Sequence, residues 1–435
     1  MGIIQRQSIK QSLVNYLAVA VAAVSVILIY PQDYETYGIA RFVIDTATFF
    51  APFIMIGFAG VTVRFFPDFR HSERDRQGFL FFVLSGVLVG SLLFVGGFFL
   101  FRENLYAIYA DKGTVYQQFL PYVVPIAILM AFFSLLFNYS SNFRRIVVPS
   151  IFQNFIKLSL PVLILLYVWK YLELEQVIHG ILLNYILALL GVIGYIYYLG
   201  QLQLRPDFRF LSREKWRKIR HFALFGLFGS IGSVLAFKID SIMIASLVDF
   251  RNNGVFAVAA FIGNAIAIPT NAIMQITGPI VAESFKKQDL AHIEQLYKSA
   301  SINLLAVGWL LLVCIAASIH DLFALMPNDD ILQGGVAVVL LVGLSKIVDM
   351  ATSINNQIIN YSQYYRFGFY AILLMALFNV LTNLLLIPQL QIVGAALATL
   401  ISLSLYNLTK LIFIWWRFRM QPFSWKSLQV LLIGV

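Results

Sequence analysis

Long apolar runs separated by short polar breaks dominate the chain, near residues 12–30, 38–64, 78–101, 119–140, 147–169, 177–199, 222–247, 255–278, 301–319, 334–359, 367–386 and 392–414. Roughly 20 apolar helical residues cross a hydrocarbon core about 30 Å thick, so each run predicts one transmembrane helix. Continuous runs, unlike alternating ones, exclude a β-barrel. A thirteenth run begins near Leu428 and has eight residues to Val435, and it is expected to be the start of a further membrane helix. The first run follows Arg6 and Lys10 as a signal peptide would, but it is longer than an h-region of about 7–15 residues and a polytopic chain follows it.

Within several runs polar residues recur at helical spacing. Lys346, Asp349, Ser353, Asn356 and Asn360 fall three or four apart in span ten, Ser150, Asn154 and Lys157 in span five, and Asn264, Asn271 and Gln275 lie in span eight. Polar stripes on several helices imply a polar cleft. Seven ionisable residues lie inside spans: Arg41, Asp45, Lys157, Lys238, Asp240, Lys346 and Asp349. Each would cost about 2.5–3.5 kcal/mol or more against lipid, so they are expected to face protein or water. Lys157 and Lys346 are placed near the midplane by the 1.5 Å helical rise, and Arg41 nearer the outer surface. Arg41 with Asp45 at i, i+4, and Lys346 with Asp349 at i, i+3, are spaced to pair. Lys238 and Asp240, two apart, are not.

Composition agrees with a lipid solvent: 60% of the 435 residues are hydrophobic and 12% charged, which excludes a soluble domain. The net charge of +10 would suggest nucleic acid in a soluble protein, but its location carries the information here and no nucleic-acid partner is expected. Alternate connecting segments hold 23 and 4 of the lysines and arginines, Lys410 being counted among the 23. The basic set includes the N-terminus, which is therefore predicted to be cytoplasmic. The most basic connector, 200–221, divides the chain into an N-terminal six-helix lobe (1–199) and a C-terminal one (222–414), followed by the segment 415–435. Residues 37–66 laid over 253–282 align Tyr37-Gly38 with Asn253-Gly254 and bring Pro52 within one position of Pro269. Six spans separate the copies, which predicts a parallel repeat. The fold class expected is all-α and polytopic, with two parallel six-helix halves around a central cleft.

The five histidines lie in loops or at span ends with no metal-ligand spacing, Cys314 is the single cysteine, and there is no phosphate-binding GxxxxGK[ST] loop. No cofactor is expected, and the residues single out no coupling ion. Gly86-x-x-x-Gly90 reads as a helix-packing surface. Residues 283–298 read as an amphipathic helix on the cytoplasmic face.

Two six-helix halves, the basic connector, the Tyr37-Gly38 lead-in to span two, Arg64-Phe-Phe-Pro67 at its exit and Phe237-Lys-Ile-Asp240 in span seven resemble the polysaccharide-transport family. This is the Wzx-type flippase branch of the multidrug/oligosaccharidyl-lipid/polysaccharide exporter superfamily. The resemblance implies an inner-membrane flippase that turns undecaprenyl-pyrophosphate-linked sugar repeat units toward the periplasm, with the bilayer and assembly proteins such as a polysaccharide polymerase as partners. From the residues alone, a pyrophosphate in low dielectric needs cations, and Lys157, Lys346, Lys238 and Arg41 are available. Asp45, Asp240, Asp349, Asn154, Asn264, Asn271, Gln275, Ser353 and Asn356 are expected to line the cleft or serve coupling. Four cations against three anions favour an anionic cargo. The rival readings are a cation-coupled drug exporter, which would be expected to use intramembrane acids, and a lipid II flippase. A membrane glycosyltransferase is disfavoured by the short outer segments.

Overall fold

Helix follows helix from the first described residues to the last. The computed structural model describes residues 14, 17–69, 73–108, 114–143, 145, 147–202, 204, 211–425 and 429–430. The helices are α1 (Leu17–Gln32), α2 (Tyr34–Met55), α3 (Phe58–Arg64), α4 (Glu73–Ile108), α5 (Thr114–Phe119), α6 (Val123–Ser141), α7 (Val147–Val168), α8 (Leu174–Tyr198), α9 (Arg213–Leu247), α10 (Phe250–Ala265), α11 (Ile268–Lys287), α12 (Leu290–Ala324), α13 (Gly335–Thr352), α14 (Asn355–Tyr361) and α15 (Tyr365–Phe418). Among the described residues there is no strand. The chain is an all-α, multi-pass membrane protein. Nine of these helices are long and apolar enough to cross a bilayer. The other three expected spans correspond to the shorter α1, to the divided pair α10 and α11, and to the second run within α15. There Gln391 leaves helical geometry at φ 52°, and a Cβ on Gly394 would stand 2.3 Å from the Leu386 carbonyl, so the chain folds back. Most of the thirteenth run lies outside the described residues.

Two compact units make up the chain, Met1–Val234 and Leu235–Val435, and the division passes through α9. Each unit contains one copy of the aligned segment, and the helix that carries the start of each copy has an aspartate cap. Asp33 accepts from Thr36 N at 2.9 Å and Asp249 from Asn252 N at 2.6 Å, satisfying a backbone donor of the first turn. The two aspartates stand in the same register as the aligned Tyr37 and Asn253.

Three spans expected to be continuous are broken. Span two stops at Ile56 (φ 45°) and Gly57 (φ 77°), four residues after Pro52, which cannot donate to the helix. Span eight breaks at Ile266 and Ala267, with Pro269 in the first turn of α11, where a missing N–H costs nothing. Span ten breaks at Ser353 (φ 49°). Residues 283–298 are not a separate surface helix: α11 ends at Lys287, Gln288 turns left-handed, and Asp289 caps α12. Ile293 and Tyr297 are buried in a core with Ile354, Ile358 and Ile414.

Gly57 allows a close approach to α9, since a Cβ there would lie 1.9 Å from the Ala223 carbonyl oxygen. Gly57→Ala therefore combines left-handed strain of about 1–2 kcal/mol with a clash that displaces α9. A clear fall in unfolding temperature is expected, whereas Gly96→Ala, which meets nothing within 4 Å, should be neutral or stabilising in a thermal unfolding series.

Candidate functional site

In the N-terminal unit α2 carries an ion pair: Arg41 Nη2 lies 2.7 Å from Asp45 Oδ2, with side chains 27% and 1% exposed. Tyr30 stacks on Tyr37 with ring centroids 4.0 Å apart, and Arg41 is within electrostatic reach of both rings and of Tyr185. On α7, Ser150 and Asn154 are buried, and Asn154 Nδ2 donates to the Ser150 carbonyl at 3.0 Å.

Lys157 is different, because it and Gln153 are exposed. At 100° per residue Lys157 stands about 160° around the helix from Phe155. Phe155 with Ile151 and Val162 forms the exposed apolar face of α7. The lysine is thus accessible on the side away from the lipid-like face, some ten residues and about 15 Å from the helix start. Among the described residues no ion pair to it is formed.

In the C-terminal unit the polar residues join into a buried network. The Asp240 carboxylate accepts from Asn383 Nδ2 at 2.6 Å and Thr399 Oγ1 at 2.5 Å, and Asn383 Nδ2 also donates to Asn379 Oδ1. Lys346, half-buried on α13, is within electrostatic reach of both Asp240 and Asp349. It does not close a direct pair with Asp349, whose Oδ1 accepts from Asn407 Nδ2 at 3.2 Å. Asn407 Oδ1 in turn accepts from Thr352 Oγ1 at 3.0 Å and Asn355 Nδ2 at 3.2 Å.

The break at Ser353 organises this region. Ser353 has φ 49° and ψ −115°, and its hydroxyl oxygen accepts from Ile354 N at 2.6 Å. The stripe read from Lys346 to Asn360 is therefore not one helix face. The turn brings Asn355 and Asn356 to the second half of α15, where Lys410 Nζ donates to Asn355 Oδ1 at 3.2 Å and Asn356 Oδ1 at 3.0 Å. Asn356 Oδ1 also accepts from the Tyr406 hydroxyl, and Lys410 Nζ sits 3.6 Å from the Tyr406 ring centroid, a cation–π geometry. Lys410 is 0% exposed. Counting it among the cytoplasmic loop cations is thus corrected: it is an interior cation held by two amide oxygens and a ring.

Of the other expected residues, Lys238 is half-buried, while Asn264, Asn271 and Asn360 are exposed. Asn264 Nδ2 turns back to the Ala260 carbonyl at 2.7 Å. The Gln275 side chain lies outside the described residues. Asn379, Asn383, Thr399, Asn407 and Lys410 were missed, although Asn379 and Asn383 are four apart and Thr399, Ser402, Tyr406 and Lys410 follow at helical spacing. Among the described residues no three His, Cys, Asp or Glu side chains converge as metal ligands would.

A family model described as polysaccharide biosynthesis protein matches residues 11–285. The fold is similar to lipid II flippase MurJ in an inward closed conformation, with TM-score 0.76 and 13% identity over 98% of this chain and 90% of that one. It is also similar to a multidrug resistance MATE family transporter of the MOP superfamily in an inward-facing conformation, with TM-score 0.70 and 11% identity over 96% of each chain. A third similar structure is a MOP superfamily transporter from Pyrococcus furiosus, described by the reverse polarity of its binding pocket, with TM-score 0.56 and 14% identity over 96% and 95% of the two chains. No match is found among curated proteins.

Proposed function

The chain belongs to the polysaccharide biosynthesis protein family, and from that premise we propose that it is a flippase for an undecaprenyl-pyrophosphate-linked oligosaccharide. In this reading the repeat unit passes from the cytoplasmic to the periplasmic leaflet of a bacterial inner membrane by alternating access. It serves a surface polysaccharide such as the O-antigen of lipopolysaccharide, and a polymerase acts next on the product. The flippase or transporter fold common to this family and its structural neighbours is the frame for that proposal.

The observation that carries it is Lys157. A lysine in the interior of an apolar span, accessible away from the lipid-like face and with no ion pair among the described residues, is suited to an anion such as a pyrophosphate. Two of the three intramembrane acids that a drug exporter could use for a cationic cargo are engaged: Asp45 holds Arg41, and both Asp240 oxygens accept hydrogen bonds. Lys346 adds a second cation, with Asp240 and Asp349 as the elements through which coupling would act. A lipid II flippase shares this cationic logic. Depletion distinguishes the three readings, because the flippase proposed here leaves a lipid-linked repeat unit accumulating on the cytoplasmic leaflet. Accumulation of lipid II, or loss of drug resistance alone, would overturn it.

Orientation follows from the charge split. In a Cys314→Ser background, Phe210→Cys and Leu290→Cys should react with an impermeant thiol reagent only from the cytoplasm, and Pro327→Cys only from outside. Labelling of position 210 in intact cells would reverse the topology.

A further inference from the structure

An apolar groove of about 400 Å³ lies in the N-terminal unit where the broken end of span two meets α4 and the start of α9. Ile56, Phe58, Phe82, Val89 and Leu224 line it, together with Trp216 and Arg220 from the first two turns of α9. The aromatic end is fixed by Trp216 packing edge-on against Phe82 at 5.8 Å between centroids.

Depth and charge together identify an occupant. The apolar run of α4 begins at Gly78, so Phe82 and Val89 lie four and eleven residues into it, about 6 and 16 Å deep. From its Trp216 and Arg220 rim the groove therefore reaches about half of a 30 Å hydrocarbon core, the depth of one leaflet. At the rim, residues 213–220 contain five cations, Arg213, Lys215, Arg217, Lys218 and Arg220, against the single acid Glu214. Glu214 is already paired with Lys218 at 2.7 Å, and Arg220 is exposed at the mouth with no ion pair among the described residues. An apolar slot one leaflet deep, with a guanidinium and an indole at its polar end, complements an acyl chain carrying a phosphate head group.

We propose that this groove binds an anionic phospholipid of the leaflet on the basic side, its acyl chain between α4 and α9 and its phosphate on Arg220. None of its lining residues belongs to the set Arg41, Lys157, Lys238 and Lys346. The lipid would fill the space beside the Ile56–Gly57 break and hold the start of α9 against it.

Native mass spectrometry of the full chain, extracted from mixed phosphatidylglycerol and phosphatidylcholine nanodiscs, tests this. One phosphatidylglycerol should be retained with about five-fold preference over phosphatidylcholine, and Arg220→Gln should bring that preference near unity with the unfolding temperature unchanged. Val89→Trp and Leu224→Trp, at exposed positions, should each displace the chain, so misfolding of one leaves the other as the test. Wild-type retention in Arg220→Gln, or in a well-folded groove-filled variant, would overturn the assignment. Displacement of phosphatidylglycerol by undecaprenyl phosphate at equal concentration would overturn it too, and give the groove to the cargo lipid.

Discussion

Replacing Arg41 by alanine is expected to cost about 3–5 kcal/mol, because it takes the guanidinium from the Asp45 carboxylate, which is 1% exposed. The reverse change should be milder. Asp45→Ala leaves a guanidinium that is 27% exposed and can recover water, so a cost of about 1–3 kcal/mol is expected. Replacing both, as Arg41→Met with Asp45→Leu, removes the buried pair altogether and should return stability to near wild type. Thermal unfolding of the two singles and the double checks this, and a double variant no better than Arg41→Ala would show that the pair is not self-contained. Glycan export by the double variant separates packing from function: export recovered with stability assigns the pair to helix packing, and export still lost returns Arg41 to the head-group set.

Lys157→Ala is expected to act the other way, on transport and not on stability. A charge-assisted hydrogen bond to phosphate is worth about 1.5–3 kcal/mol, so glycan export should fall about 10- to 100-fold. The lysine is already exposed, so the unfolding temperature should barely move. Lys157→Arg keeps the charge and should keep most of the activity. A drug exporter would instead lose function with Asp240→Asn or Asp349→Asn while tolerating Lys157→Ala. Export at wild-type level in the Lys157→Ala, Lys346→Ala double variant would remove the cationic contribution to cargo binding.

The spans were legible because lipid demands about 20 apolar residues in succession, a signal no local exception obscures. Their breaks were not. Ile56 and Ser353 take left-handed backbone although neither is the glycine that usually announces it, and Ser353 bonds the next amide with its own hydroxyl. The Arg41–Asp45 pair was readable from i, i+4 spacing, since both partners are on one helix. Lys346 and Asp349 had comparable spacing, but Asn407, 58 residues further on, takes the Asp349 oxygen instead. Partners so distant in sequence leave no periodic trace. Lys410 was misplaced for a related reason: near a span end a lysine reads as a loop cation, and only the turn at Ser353 brings Asn355 and Asn356 to bury it. The polar spacing from Thr399 to Lys410 is a usable signal, carried mostly by hydroxyl groups rather than by charge.

Transbilayer movement in proteoliposomes tests the flippase proposal most directly. The purified chain is reconstituted with a polyprenyl-pyrophosphate-linked oligosaccharide, and an impermeant sugar-oxidising reagent reports the fraction exposed outside over time. Protein-dependent equilibration of the lipid-linked sugar is expected, slowed about 10- to 100-fold by Lys157→Ala and unaffected by cationic drugs. Sugar that stays on its original side in the presence of folded wild-type protein, together with uptake of a cationic drug by the same vesicles, would contradict it.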